Sequence, residues 1–112
     1  MTMRQWFDTA PPDAVEYAGE YMNLSEQEGL VWGVIRTAMS SVADLCIVQM
    51  QDYLDLGAEA RMNFPGTLSS DNWTWRMEAD GLSSELAEKI HKLTVLYDRL
   101  GYQKHKTAAE PL

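Results

Sequence analysis

The sequence has almost no cysteine, no long hydrophobic run and no excess of basic residues. Its one cysteine, Cys46, has no partner within the chain, which excludes an intrachain disulfide framework and is typical of a reducing cytoplasm. No apolar run approaches the roughly 18 residues that cross a bilayer as a helix. Residues 1–10 include Arg4, Gln5 and Asp8 rather than an apolar stretch, so we expect neither a secretory signal peptide nor a membrane partner.

The overall charge is acidic. A formal net charge of −8 at pH 7 argues against nucleic acid as a partner, because proteins that bind its phosphates carry clusters of Lys and Arg. The two histidines, His91 and His105, have no Cys or acidic partner at ligand spacing, and neither a Gly-rich phosphate loop nor a nucleophile elbow is present. We therefore expect no metal and no cofactor.

Two helices are predicted in the first half of the chain. One opens at Pro11–Asp13 and continues to about Asn23, because proline is tolerated in a first turn and acids suit the positive end of the helix dipole. Ser25 and Glu28 form a capping box before the second, whose apolar residues recur at i, i+3, i+4 and i+7 over residues 30–42. This pattern predicts an amphipathic helix with one buried stripe.

The two ends of the chain differ in their patterns. Residues 1–10 have no clear period and are predicted to form a loop. A further helix begins at Ser83 or Ser84, carries an apolar stripe from Leu86 to Leu100, and is predicted to end at Gly101. Residues 102–112 are polar and are predicted to be a frayed tail.

The centre of the chain has the pattern of a buried strand. Residues 45–48, Leu-Cys-Ile-Val, form a short apolar run that suits a strand covered on both faces, as in a parallel sheet. One or two helical turns follow from Gln51, stopped by Gly57. Such a strand needs neighbours on both edges, yet the chain offers no second convincing strand beyond a short candidate near residues 73–77. The pattern therefore predicts a piece of a larger sheet.

A family resemblance appears in the same region. The stretch SSVADLCIVQMQDYLDLGAEARMNFPGTLSSDNWTWRM, residues 40–77, resembles the last barrel strand and following loop of the amylomaltase (disproportionating enzyme) family of 4-α-glucanotransferases. Weaker similarity extends from about Arg4 to about Leu100. The resemblance implies an α/β fold class: the C-terminal βα-unit tail of a (β/α)8 barrel, mostly helical when taken alone, with residues 1–112 as a single partial domain.

The resemblance also implies a reaction. Enzymes of that family transfer a segment of an α-1,4-glucan to an acceptor sugar with retention of configuration, which needs two carboxyl groups roughly 5–5.5 Å apart. The family's three catalytic acids precede the region that this chain matches, so no catalytic residue is assigned here. Malto-oligosaccharides or α-glucans are the implied partners of the full-length enzyme. The isolated chain is expected to be inactive. The expected location is the cytoplasm.

The loop after the strand is the part of the site that carries over. By resemblance, Asn63 lies near the sugar-binding subsites, Arg61 orients a carboxylate or locks the loop, and Pro65 and Gly66 hold its turn. Trp73 is either a platform on which a sugar stacks or a core residue, and Arg61 and Asn63 alternatively only brace the loop. Gln51 and Asp52 match a Gln-Asp pair of the family and are predicted to support the loop from beneath.

Other interpretations stay open at this point. The chain is alternatively a small, non-catalytic helical interaction module with an acidic contact face. A third possibility is that it complements a separately encoded, missing N-terminal barrel segment. Because its strand flanks and helix stripes would lack their barrel partners, we also expect the isolated chain to associate or to be poorly soluble.

Overall fold

The computed structural model describes residues 1–62 and 74–101. This part of the chain is helical, and no strand is formed within it. In chain order its elements are α1 (Met3–Thr9), α2 (Pro12–Tyr21), α3 (Leu30–Met39), α4 (Met50–Tyr53), a short 3-10 helix (Ala58–Ala60) and α5 (Ser84–Leu96). The predicted frayed tail, residues 102–112, lies outside the described residues.

Helix α1 occupies the segment that the sequence predicted to be a loop, so that prediction is wrong. The helix starts because Thr2 caps it: Thr2 Oγ1 accepts from the Gln5 N–H at 3.2 Å, and the Thr2 side chain is buried. Phe7 packs against the core, with Trp6 edge-on to it at a ring distance of 5.1 Å. The apolar period was too short to be recognised in a helix of two turns.

Helix α2 confirms the prediction that a helix opens at the proline pair, whereas the capping box before α3 is only half formed. Ser25 Oγ accepts from the Glu28 N–H at 3.2 Å, as predicted, but α3 begins after Gly29, whose φ of +100° interrupts the helix. The Glu28 carboxylate is held by Arg36 at 2.7 and 3.1 Å. It is therefore engaged away from the Ser25 N–H that a complete box would use.

The core is small and is built around α3. Val31, Ile35 and Met39 recur every four residues along its buried face, and Leu93 of α5 completes the cluster. Seven further side chains are partly buried against this cluster: Met3, Phe7, Trp32, Cys46, Val48, Tyr53 and Tyr97. The predicted stripe on the second helix is thus confirmed as the centre of the fold up to Met39, where α3 ends, but the prediction is wrong for Val42, which lies beyond the helix and is exposed.

Helix α5 begins where one of the two predicted caps lies. Ser83 Oγ accepts from the Leu86 N–H at 3.1 Å, so Ser83 is the N-cap. The helix ends earlier than predicted, because Asp98 adopts a left-handed backbone with φ of 53° and ends it before Gly101. Of its apolar stripe only Leu93 is buried, and Leu96 is exposed.

The predicted strand at residues 45–48 is not formed, which corrects the expectation of a strand within the described residues. The segment has irregular structure, and its side chains alternate between exposed (Leu45, Ile47) and half-buried (Cys46, Val48). This alternation has the period of an extended backbone, in which neighbouring side chains point to opposite sides. A β-strand needs a neighbouring strand that pairs with its backbone N–H and C=O groups, and the described part of the chain supplies none.

Candidate functional site

The residues after the extended segment fold back on themselves. Gln51, at the start of α4, has only 6% of its surface exposed, and its Nε2 donates to the carbonyl of the fully buried Ala60 at 3.2 Å. This bond joins α4 to the 3-10 helix and fixes the chain immediately before Arg61. Because a buried amide left without a partner is costly, the bond holds this loop in one conformation.

Helix α1 is fastened to the same loop by two carboxylates. Asp52 Oδ1 accepts from the Met3 N–H at 2.9 Å, one of the amides that a helix cannot satisfy within its first turn. Asp55 accepts from Arg4 Nε at 2.8 Å and from Arg4 Nη2 at 3.0 Å, which is a two-point contact. The hydrogen bond with Asp55 raises the pKa of Arg4.

Asp55 also ends α4. Its φ of 57° is left-handed, a conformation that Asp tolerates better than most residues, and the turn closes as Leu56 N–H donates to the Gln51 carbonyl at 2.9 Å. The prediction that Gly57 stops these turns is therefore wrong by two residues. Glu59 Oε1 accepts from the Gly57 N–H at 3.0 Å and holds the next bend.

The loop rests on the core through Tyr53. Its ring lies 6.1 Å from that of Trp32 on α3, and Lys89 of α5 places its ammonium 4.0 Å from the Trp32 ring centre. Burial raises the pKa of the Tyr53 hydroxyl, and the nearby Cys46 adds to the effect. Both helices of the core thus contribute to the floor on which residues 50–60 lie.

A cavity of about 330 Å³ opens between this loop and residues 75–81. Leu54, Leu56 and Trp75 provide apolar walls, and polar side chains stand around them: Glu59, Arg76, Glu78 and Asp80. An apolar wall with a few polar groups is the usual make-up of a small-ligand site. Carboxylates on this rim can accept hydrogen bonds from hydroxyl groups.

The structure places three of the predicted site residues. Gln51 and Asp52 lie in α4, where each bonds to another segment, and Arg61 is half-buried at the end of the 3-10 helix. The other four predicted residues lie outside the described residues: Asn63, Pro65, Gly66 and Trp73. The candidate short strand near residues 73–77 is not formed over the part that is described, residues 74–77.

Sequence reasoning missed the contacts between α1 and this loop. The resemblance gave Asp52 a supporting role and gave none to Asp55 or Glu59, whereas each of the three accepts a hydrogen bond that shapes the segment. The bonds to Met3 and Arg4 join residues 49 and 51 positions apart, so no local pattern signals them. The left-handed turn at Asp55 had one local signal, since Asp is common in turns and tolerates the left-handed conformation.

No helix among the described residues is both long enough and apolar enough to cross a membrane. Within the same residues, no three or more His, Cys, Asp or Glu side chains are grouped so that they could hold a metal ion.

Comparison with known proteins identifies relatives over most of the chain. The model of the 4-alpha-glucanotransferase family matches residues 1–83. A 4-alpha-glucanotransferase of Clostridium butyricum is 50% identical over 99 residues, which cover 88% of this chain and 20% of the relative. The chloroplastic/amyloplastic 4-alpha-glucanotransferase of Solanum tuberosum is 39% identical over 103 residues, which cover 88% of this chain and 18% of the relative.

A solved structure agrees with these relatives. Amylomaltase from Streptococcus agalactiae in complex with acarbose superposes on 88% of this chain with a TM-score of 0.82 and 33% identity. The match again covers 20% of that chain. The present chain therefore spans about a fifth of the length of the proteins it matches, and its helices have the arrangement of the corresponding part of a barrel enzyme.

Proposed function

The chain belongs to the 4-alpha-glucanotransferase family, and we propose that it provides the C-terminal, substrate-side part of an enzyme that transfers α-1,4-glucan segments with retention of configuration. The observation that carries the proposal is the superposition on amylomaltase, because it combines 33% identity with the same backbone arrangement over 88% of the chain. That amylomaltase was solved with acarbose, a sugar-like ligand, which supports malto-oligosaccharides as the substrate class.

The contribution of this chain is the loop that follows residues 45–48. Asn63 binds the sugar, Arg61 orients a carboxylate of the site or locks the loop, Pro65 and Gly66 hold the turn, and Trp73 provides an aromatic surface. Gln51 and Asp52 support the loop, a role to which their contacts with Ala60 and Met3 are suited. A loop tied down at its base is the kind of element that positions substrate without reorganising.

The reacting carboxylates come from elsewhere in the enzyme. Retaining transfer needs a nucleophile and an acid–base group roughly 5–5.5 Å apart. The carboxylates at the end of the extended segment are instead bound to other parts of the chain: Asp52 to Met3, Asp55 to Arg4 and Glu59 to Gly57. We therefore expect the isolated chain to be inactive.

The proposed location of the enzyme is the cytoplasm, although the Solanum tuberosum relative is chloroplastic/amyloplastic by name.

A chimera tests the proposal. This chain replaces the corresponding C-terminal fifth of the Clostridium butyricum relative, and glucose release from maltotriose is measured. We expect an active chimera and no activity from this chain alone. Asn63→Ala should lower kcat/KM about tenfold, the loss that corresponds to one hydrogen bond of about 1.4 kcal/mol.

The control is Lys92→Ala, which removes an exposed cation from α5 and should leave activity unchanged. A chimera that melts cooperatively at the temperature of the parent enzyme but releases no glucose would contradict the proposal. Equal activities for Asn63→Ala and Lys92→Ala would reject the role of Asn63 while leaving the family function intact.

A further inference from the structure

A two-point contact joins helix α1 to the turn after α4. Arg4 Nε donates to Asp55 Oδ1 at 2.8 Å, and Arg4 Nη2 donates to Asp55 Oδ2 at 3.0 Å. The stem of the arginine lies along the same turn, because a Cβ placed on Gly57 would stand 3.9 Å from Arg4 Cγ. A planar guanidinium that meets both oxygens of a carboxylate fixes its orientation as well as its position. Arg4 therefore determines where the turn lies relative to α1.

Asp55 lies at the point where the chain turns away from α4. Its backbone is left-handed, with φ of 57°, and the Leu56 N–H donates to the Gln51 carbonyl at 2.9 Å. Leu54 and Leu56, on either side of it, line the cavity, and Arg61 follows at the end of the 3-10 helix. A change in the orientation of Asp55 would therefore move both the cavity wall and the residues that lead to Arg61.

The pair acts on this site from outside it. Neither Arg4 nor Asp55 is among the described residues that line the cavity. Their side chains are 30% and 51% exposed, and ion pairs as exposed as this one contribute little to global stability. The two-point geometry is better suited to limiting the conformations that residues 56–61 can adopt.

We propose that Arg4 and Asp55 are a positioning pair, which holds residues 56–61 in the conformation that binds sugar. The proposal rests on the proposed function, because that function assigns the loop to the substrate. Without the pair, the loop would adopt the binding conformation for only part of the time, and the apparent affinity for substrate would fall by that fraction. Bound substrate would restore the conformation, so the rate at saturation should change little.

Kinetics of the chimera with the Clostridium butyricum relative test the pair. In Arg4→Ala and in Asp55→Asn, which keeps the shape of the side chain, KM for maltotriose should rise about threefold to fivefold, the range that corresponds to one exposed ion pair. The kcat should change by less than about twofold. The double variant should have the same KM as either single variant, because the two residues act through one contact. Arg4→Lys keeps the charge but not the two-point fork, so its KM should stay closer to that of Arg4→Ala than to that of the original chain.

The matched control is a second two-point ion pair. Arg36 donates to Glu28 at 2.7 and 3.1 Å, with side chains 28% and 27% exposed, and this pair joins α3 to the turn before it rather than to residues 50–61. Glu28→Gln should therefore leave KM unchanged. An equal rise of KM in Glu28→Gln and Asp55→Asn would overturn the proposal. So would a lower kcat at constant KM in the Arg4 and Asp55 variants, which is the signature of a smaller folded fraction. If Arg4→Ala lowers the Tm of the chimera, Asp55→Asn decides.

Amide hydrogen exchange in the same chimeras gives a readout that needs no activity. The Arg61 N–H donates to the Ala58 carbonyl at 3.2 Å. This amide should exchange about threefold to fivefold faster in Asp55→Asn than in the original chimera, and Glu28→Gln should not alter it. Faster exchange in a chimera that is inactive would reject the proposed function alone, and unaltered exchange in an inactive chimera would reject both proposals. An active chimera in which either KM or this exchange rate stays unaltered would reject the positioning pair alone.

Discussion

Helix α3 and residues 45–48 are both apolar, yet only α3 has formed regular structure. The residues of α3 bond to carbonyls four positions earlier in the same segment, and Val31, Ile35 and Met39 are buried. Residues 45–48 are similarly apolar but have no backbone partner among the described residues, and Leu45 and Ile47 face outward. The difference shows that a helix can be completed by local sequence, whereas a strand depends on chain that lies elsewhere.

Residues 45–48 have an amino-acid composition that is unusual for a protein surface. Burying a Leu or Ile side chain gains about 1.5–3 kcal/mol, and the largely exposed Leu45 and Ile47 realise little of that gain. A sequence that places Leu45 and Ile47 beside the half-buried Cys46 and Val48 suits burial on both faces. The missing stabilisation would be recovered when a second layer covers the exposed face.

The largest expected effect compares one residue type in the two regions. Ile35→Ala should lower the free energy of unfolding by about 2–5 kcal/mol, because it removes a buried side chain and leaves a cavity. Ile47→Ala should change it by no more than about 0.5 kcal/mol, since that side chain is exposed. Urea unfolding followed by tryptophan fluorescence measures both, and equal losses would break the comparison.

A smaller effect tests whether the helices depend on local caps. Ser83→Ala should lower the free energy of unfolding by about 1 kcal/mol, because the Leu86 N–H loses its acceptor. The matched control is Ser84→Ala, which changes the next residue, inside the first turn of α5, and should cost less. Thermal melts followed by circular dichroism compare the two variants. A larger loss of stability for Ser84→Ala would contradict the assignment of Ser83 as the N-cap.

The smallest effect concerns pH. Burial raises the pKa of Tyr53 in the folded chain above its ordinary value near 10, so the neutral hydroxyl is favoured on folding. Its contribution to stability should be fully present below pH 10 and should be lost as pH rises through the raised pKa. The urea midpoint of unfolding should therefore decrease more between pH 9 and pH 11 in the original chain than in Tyr53→Phe. Equal decreases in the two chains would contradict this assignment.

What could be predicted from the sequence follows the same division between local and distant causes. The caps at Ser25 and Ser83, the start of α2 and the buried stripe of α3 depend on residues a few positions apart, and they were predicted. The contacts of Asp52 with Met3, Asp55 with Arg4, and Arg99 with Ala43 join residues 49 to 56 positions apart, and no local pattern reveals them.

The loop residues show a different limit. Resemblance to the family indicated Gln51, Asp52 and Arg61 as parts of the site, and composition alone could not have selected them. The structure shows which hydrogen bonds Gln51 and Asp52 make: Gln51 bonds to Ala60, and Asp52 bonds to Met3. Asn63 and Trp73 keep roles that rest on resemblance, and these roles stay predictions.

The central claim is that residues 45–48 need strands that residues 1–62 and 74–101 do not supply. Amide hydrogen exchange of Leu45, Cys46, Ile47 and Val48 tests it most directly, measured in the monomeric chain and in the chimera with the Clostridium butyricum relative. We predict exchange close to that of an unstructured peptide in the chain alone, together with slow exchange in α3, and strong protection of all four amides in the chimera. Protection of these amides in the monomer, or its absence in an active chimera, would contradict the account.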